Sequence, residues 1–235
     1  MSRRRLSSSA FCVGLLLCAG TMQADISSYT DAGAFLAAAP GVATQTFAEV
    51  DANEGAGPGG FVITNGTILN NSTNPAMLPG LTIAGGDSFG GQLAYVGAGT
   101  AGLPNASVFE DYFSNPLKIT FGPGVSAASL DVLSQFNADN MVVTALDPSG
   151  NVLGTFDANA PNSGPGNFIG FVTGGGTLIG ALDIQTSGFD VAGVDQVQFG
   201  NAGAATPEPS FLVLTGLGFA GLVTFAIRRK RKLTA

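Results

Sequence analysis

Between residues 42 and 199 apolar side chains recur in short runs, many alternating with polar ones, and clusters of Gly, Asn, Pro and Asp separate the runs. Period-two patterning of this kind marks strands with one buried face. It predicts strands over 42–50, 61–63, 66–69, 81–84, 93–96, 107–109, 116–121, 127–133, 141–147, 152–156, 168–173, 177–185 and 194–199. In the first, Val42, Thr44, Thr46 and Ala48 alternate against Gln45 and Phe47. Asp147-Pro148-Ser149-Gly150-Asn151 is a turn signal, with Pro preset for the first central position and Gly free to take positive φ. It joins 141–146 to 152–156 as a hairpin, whereas 51–60 is a loop by composition. Helical patterning is confined to 30–39, where Thr30 or Asp31 caps an Ala-rich segment that Pro40-Gly41 stops. The expected fold is all-β, an antiparallel β-sandwich or jelly roll with one short N-terminal helix.

Both ends depart from this pattern. Arg3, Arg4 and Arg5 precede an apolar run from Ala10 to Gly20 and a polar exit through Thr21-Met22-Gln23-Ala24. This is the layout of a secretory signal peptide over 1–24, cleaved after Ala24. Its apolar core is shorter than the roughly 20 residues of a spanning helix. Ser2-Arg3-Arg4-Arg5-Leu6 matches a twin-arginine signal in part, and Leu15-Leu16-Leu17-Cys18 matches a lipoprotein box except for Leu17, where a small residue is wanted.

At the other end, Thr206-Pro207-Glu208-Pro209 leads into 211–227, seventeen residues without a charge. As a helix this segment rises about 25 Å, at the short end of the spanning range. Arg228, Arg229, Lys230, Arg231 and Lys232 follow, a basic stop that stays on the cytoplasmic side. Residues 25–205 are thereby expected outside the membrane and 206–235 form a separate tail. Pro207-Glu208-Pro209, a Gly-rich helix (Gly216, Gly218, Gly221) and the basic cluster together resemble the PEP-CTERM sorting signal. That family often has Val where this chain has Thr206. The resemblance implies an exosortase partner, a membrane transpeptidase-like enzyme that removes or exchanges the tail. It implies transient anchoring in the inner membrane of a Gram-negative-type bacterium, then the cell surface or extracellular matrix. The alternative is a permanent single-pass anchor, in which Gly216 and Ala220 form a small-xxx-small pair for helix packing.

Charge changes character once the ends are set aside. Between Asp25 and Ala205 stand one basic residue, Lys118, and fifteen acidic ones, a formal charge of −14. Such a surface repels nucleic acid and anionic lipid and attracts cations. Cys12 and Cys18 both belong to the signal segment and the chain has no histidine. Thiolate and imidazole chemistry is therefore excluded from 25–205, and with it Ser-His-Asp and Cys-His catalysis.

The stretches "ALDPSGNVLGTF", "NFIGFV", "LIGALDIQ" and "VAGVDQVQFG" resemble an ectodomain of surface-sorted bacterial proteins, a jelly roll similar to carbohydrate-binding modules. Candidate chemistry within it is sparse. Asp183, Asp190 and Asp195 near the last strand offer oxygen ligands of the kind Ca²⁺ takes, and Asp139, Asn140 and Asp147 flank the hairpin. No Asp-x-Asp-x-Asp-Gly run is present, and solvated loop carboxylates account for the same residues. Glu110 and Asp111 stand between aromatic residues, but neighbours in a strand point to opposite faces and cannot together straddle a glycosidic bond. They read as a polar turn between core aromatics.

With no Trp and only Tyr29, Tyr95 and Tyr112, stacking platforms are few, and the phenylalanines read as core. Glycan recognition then rests on Asn, Asp and backbone groups. Asn65-Gly66-Thr67 and Asn105-Ala106-Ser107 match glycosylation sequons and read as turns. The resulting expectation is a non-enzymatic exported protein of the exopolysaccharide or biofilm matrix, without an obligatory cofactor and without nucleic-acid partners. The alternatives are a carbohydrate-binding module with a specific glycan and a carboxylate-dependent hydrolase.

Overall fold

The computed structural model describes residues 26–50, 60–63, 68–86, 92–110, 116–186 and 190–202. The expected signal segment with its cleavage after Ala24 and the expected sorting tail, from Pro207-Glu208-Pro209 through Arg228–Arg231, lie outside the described residues. Among the described residues no helix is long and apolar enough to cross a membrane.

Fourteen strands are described: β1 (Ile26–Tyr29), β2 (Ala43–Thr46), β3 (Phe61–Ile63), β4 (Ile68–Asn70), β5 (Leu81–Ala84), β6 (Leu93–Val96) and β7 (Ser107–Glu110) in the first half. The second half holds β8 (Leu117–Val125), β9 (Ala127–Ser134), β10 (Asp139–Leu146), β11 (Val152–Ala160), β12 (Asn167–Thr173), β13 (Ile179–Thr186) and β14 (Ala192–Gly200). They form two antiparallel sheets. The first has the order β1-β12-β9-β14-β7-β6-β3, with β2 also paired to β14. The second has the order β11-β10-β13-β8-β5-β4. The expected β-sandwich is the observed fold.

The inner faces meet in one core that includes Phe47, Leu81, Ile119, Leu130, Val143, Phe171 and Val194. Each fully buried side chain of this size contributes about 1.5–3 kcal/mol before entropy is counted. The outer face of the first sheet is covered in two places as well. At one, helix α1 (Ala32–Ala38), capped by Asp31 whose Oδ1 accepts from the Ala34 amide at 2.7 Å, lays Phe35 over the sheet. Gly170 makes this possible, since a Cβ there would stand 2.7 Å from the Phe35 ring. At the other, Leu103 closes over Ala94, Val96, Phe109, Leu133 and Val191.

Several boundaries differ from the sequence reading. β1 was not expected; its ISSY sequence pairs with β12 from Ile26↔Thr173 to Tyr29↔Gly170, so its partner makes it a strand rather than its own pattern. The strand expected over 42–50 ends at Thr46 and residues 48–50 turn helical. β11 continues past Phe156 to Ala160, with Ala158 and Ala160 as its buried positions. Glu110 is not in a polar turn: it ends β7, fully buried, and accepts from the Gly86 amide at 3.1 Å.

Candidate binding site

Residues 135–138 carry the chain from β9 in the first sheet to β10 in the second. Phe136 stands at the tip of this crossing, 51% exposed, with exposed Asn137 beside it. Both backbone groups of Phe136 are held. Its amide donates to Asp190 Oδ1 at 3.0 Å, and its carbonyl accepts from Asn162 Nδ2 at 3.0 Å. Asn137 N donates to Asp190 Oδ2 at 2.8 Å, and Gln135 N donates to the Val191 carbonyl at 3.3 Å. A half-exposed aromatic residue is thus held on a backbone with little freedom left.

Asp190 makes the mount. It is 3% exposed and accepts from three backbone amides, the third being Val191 N at 2.8 Å. Burial opposes its ionisation, but the amides of Phe136, Val191 and Asn137 outweigh that and hold its carboxyl below the usual range. Beneath the ring's loop lies a small cavity of about 60 Å³, walled by Val96, Leu103 and Phe109 with Thr100, Gln135 and Asn162 at its polar edge. The Gly164 amide donates to the Gly102 carbonyl at 3.1 Å and ties the two neighbouring loops together.

The three aspartates expected as Ca²⁺ ligands are not brought together. Asp183 lies opposite Lys118 in the register of β13 and β8 and pairs with it at 3.9 Å on the second sheet. Asp190 spends both oxygens on the backbone amides just described. Asp195 lies on β14 against Asp131 of β9. Among the described residues no group of three or more carboxylates converges. Asp147 caps the hairpin turn, accepting from Asn151 Nδ2, Asn151 N and Ser149 N, each at 2.8 Å, which holds it below the usual carboxylate range. Asp139 Oδ1 accepts from the Asn140 amide at 2.8 Å.

Asp131 and Asp195 form a pair that the sequence reading missed. Burial, then the repulsion of Asp195, push Asp131 up to about 7. Burial raises Asp195 as well, against the bonds it accepts from Asn105 Nδ2 at 3.1 Å, Gly166 N at 3.5 Å and the protonated carboxyl of Asp131. The tyrosines supply no exposed platform among the described residues: Tyr95 is buried and Tyr29 packs edge-on to Phe35. Phe136 was also missed, although its flanks (Gln135, Asn137) lack the apolar alternation that marks a core phenylalanine.

No family model matches the sequence, and no curated protein matches it. Solved structures give distant likenesses. One is a family 6 carbohydrate-binding module studied for its binding sub-sites, 18% identical with a TM-score of 0.33, over 58% of this chain and 94% of that one. A second is a β-1,3-glucan-binding module of the same family from Bacillus halodurans, 15% identical with a TM-score of 0.29, over 61% and 97%. A third is a module from Clostridium stercorarium in complex with cellobiose, 21% identical with a TM-score of 0.26, over 41% and 74%. Likeness at this level carries no conclusion about ligand or site.

Proposed function

We propose that this chain is an exported, non-catalytic surface protein that binds a neutral polysaccharide through the Phe136 platform. The observation that carries the reading is the mounting of the ring: half exposed, with its amide and carbonyl both fixed by hydrogen bonds. A preorganised ring with amide side chains around it loses little freedom when a sugar face stacks on it. Gln135, Asn137 and Asn162 supply donors and acceptors for hydroxyl groups. The charge of −14 over 25–205 disfavours anionic ligands and leaves uncharged glycans as the matching class.

Asp131 and Asp195 do not support hydrolysis of a glycosidic bond. They interact directly with each other, whereas a retaining pair stands about 5 Å apart to straddle the bond. The sorting tail belongs to the same proposal: an exosortase releases or exchanges residues from about Pro207 onward and delivers the domain to the matrix.

Two measurements test this. Affinity electrophoresis of the full-length chain through a panel of neutral polysaccharides is expected to show retardation by at least one, lost in Phe136→Ala. Retardation by none, or retention of it in the variant, refutes the platform. Intact-mass measurement of the surface form is expected to lack Arg228 to Ala235; recovering them attached favours a permanent anchor.

A further inference from the structure

Two distant hydrogen-bonded points bracket the β11–β12 loop, residues 161–166. At its far end Pro161 O accepts from Ser134 N of β9 at 3.0 Å, and Asn162 Nδ2 donates to the Phe136 carbonyl at 3.0 Å. At its root Gly166 N donates to Asp195 Oδ2 at 3.5 Å, and the same oxygen accepts from Asn105 Nδ2 at 3.1 Å. Gly166 also closes over Asp131, since a Cβ there would stand 2.9 Å from the Asp131 Cβ. The carboxyl pair and the mount of Phe136 are thus opposite ends of one short loop.

Asp131 and Asp195 meet because the register of β14 with β9 slips by one residue, so Val194 faces Val132 and Gln196 faces Asp131. Asp195 is 2% exposed, and the carboxyl of Asp131 keeps a proton that it donates to Asp195. Burial and the repulsion of Asp195 push Asp131 up to about 7, so that proton leaves near neutral pH. Nothing positive offsets the second charge. Lys118, the one basic residue among the described residues, pairs with Asp183 on the other sheet.

The other ionisable groups on the surrounding elements are engaged elsewhere. Glu110 at the end of β7 accepts from Gly86, and Asp190 before β14 accepts from three amides. Asp31 caps α1, and Tyr29 of β1 packs on Phe35. Loss of the proton therefore leaves two negative charges in contact, which water alone can relieve. The backbones of Asp131 and Asp195 belong to the β9–β14 ladder, whereas Gly166 is tied by one long hydrogen bond. Water is admitted at least cost where the loop lifts at Gly166.

We infer that the Asp131–Asp195 pair is a proton-held latch on the β11–β12 loop. With its proton the pair fastens residues 161–166 and, through Asn162, the mount of Phe136; fully ionised, it releases them. Control of glycan binding by this latch rests on the platform reading above, whereas the latch itself does not. Binding is then firmer in mildly acidic than in alkaline surroundings.

Hydrogen–deuterium exchange of the full-length chain, read at Asn162 to Gly166 between pH 5.5 and pH 8.5 and corrected for intrinsic exchange, tests the latch without a ligand. Protection is expected to fall about tenfold across that span in the wild type. It is expected to stay flat in Asp131→Asn, whose amide keeps donating to Asp195 at every pH. Asp195→Asn guards against a variant that fails to fold and is expected to be flat as well. A flat wild-type profile, or the same fall in both variants, overturns the latch. Affinity electrophoresis through the neutral polysaccharide panel at the same two pH values is expected to show weaker retardation at pH 8.5 in the wild type only. Falling protection with no retardation at either pH supports the latch and sinks the platform. Falling protection with equal retardation at both overturns the control of binding.

Discussion

The carboxylate of Asp190 holds the amide of Phe136 at 3.0 Å across 54 residues of sequence. Asp190→Asn replaces an acceptor that faces three backbone amides with a group that is partly a donor. The loss is expected to cost about 1–3 kcal/mol, read from denaturant unfolding. Because the folded group titrates below its unfolded value, its contribution is present above about pH 3.9 and is lost as pH falls through the folded pKa. Melting curves from pH 5 down to pH 2 should therefore fall more steeply for the wild type than for the variant.

Phe136→Ala separates binding from folding. Phe136 is 51% exposed, so the melting temperature is expected to stay within a degree or so of the wild type, as for most surface changes. Polysaccharide affinity is expected to drop about tenfold or more, the scale of one lost stacking contact. A fall in stability equal to the fall in binding would show that the ring is core after all.

Asp131 sets an opposite pH dependence. Its folded pKa, about 7, lies above the unfolded value, so its favourable contribution is complete below about pH 3.9 and is lost as pH rises through 7. Stability is expected to decline between pH 4 and pH 7 and then level off. Asp131→Asn should flatten that decline, which thermal melts at half-unit intervals would show.

Gly193 leaves no room for a side chain, because a Cβ there would stand 2.3 Å from the Phe109 ring. Gly193→Ala is expected to destabilise by about 1–3 kcal/mol through overpacking. A double variant with Phe109→Leu should recover part of the loss, and a double-mutant cycle measures the coupling.

The strands were legible where local pattern decides them. Leu81–Ala84 and Leu93–Val96 fall at the residues predicted, and the Asp147–Asn151 turn closes the hairpin as its composition requires. What could not be read depends on register between distant strands. Asp131 and Asp195 lie in separate apolar runs and meet only because β9 pairs with β14 across a bulge. The signal was a single acid inside each run, which an alternating pattern reads as a solvated outer position. Phe136 was hidden by the ordinary expectation that phenylalanine is core, and what raises it to the surface is an aspartate outside its own loop. Glu110 was misread for the same reason: its adjacent acid and aromatics suggested a turn, while β6 makes it a strand end.

The last strand carries one more consequence. β14 is an interior strand in which Gln196 to Phe199 are clasped by β9 on one side and β2 on the other. The expected C-terminal tail follows this clasp in sequence. A load transmitted from a tether at the C-terminus therefore reaches the middle of the sheet and must strain two ladders together, whereas a tether on an edge strand would peel one ladder bond by bond.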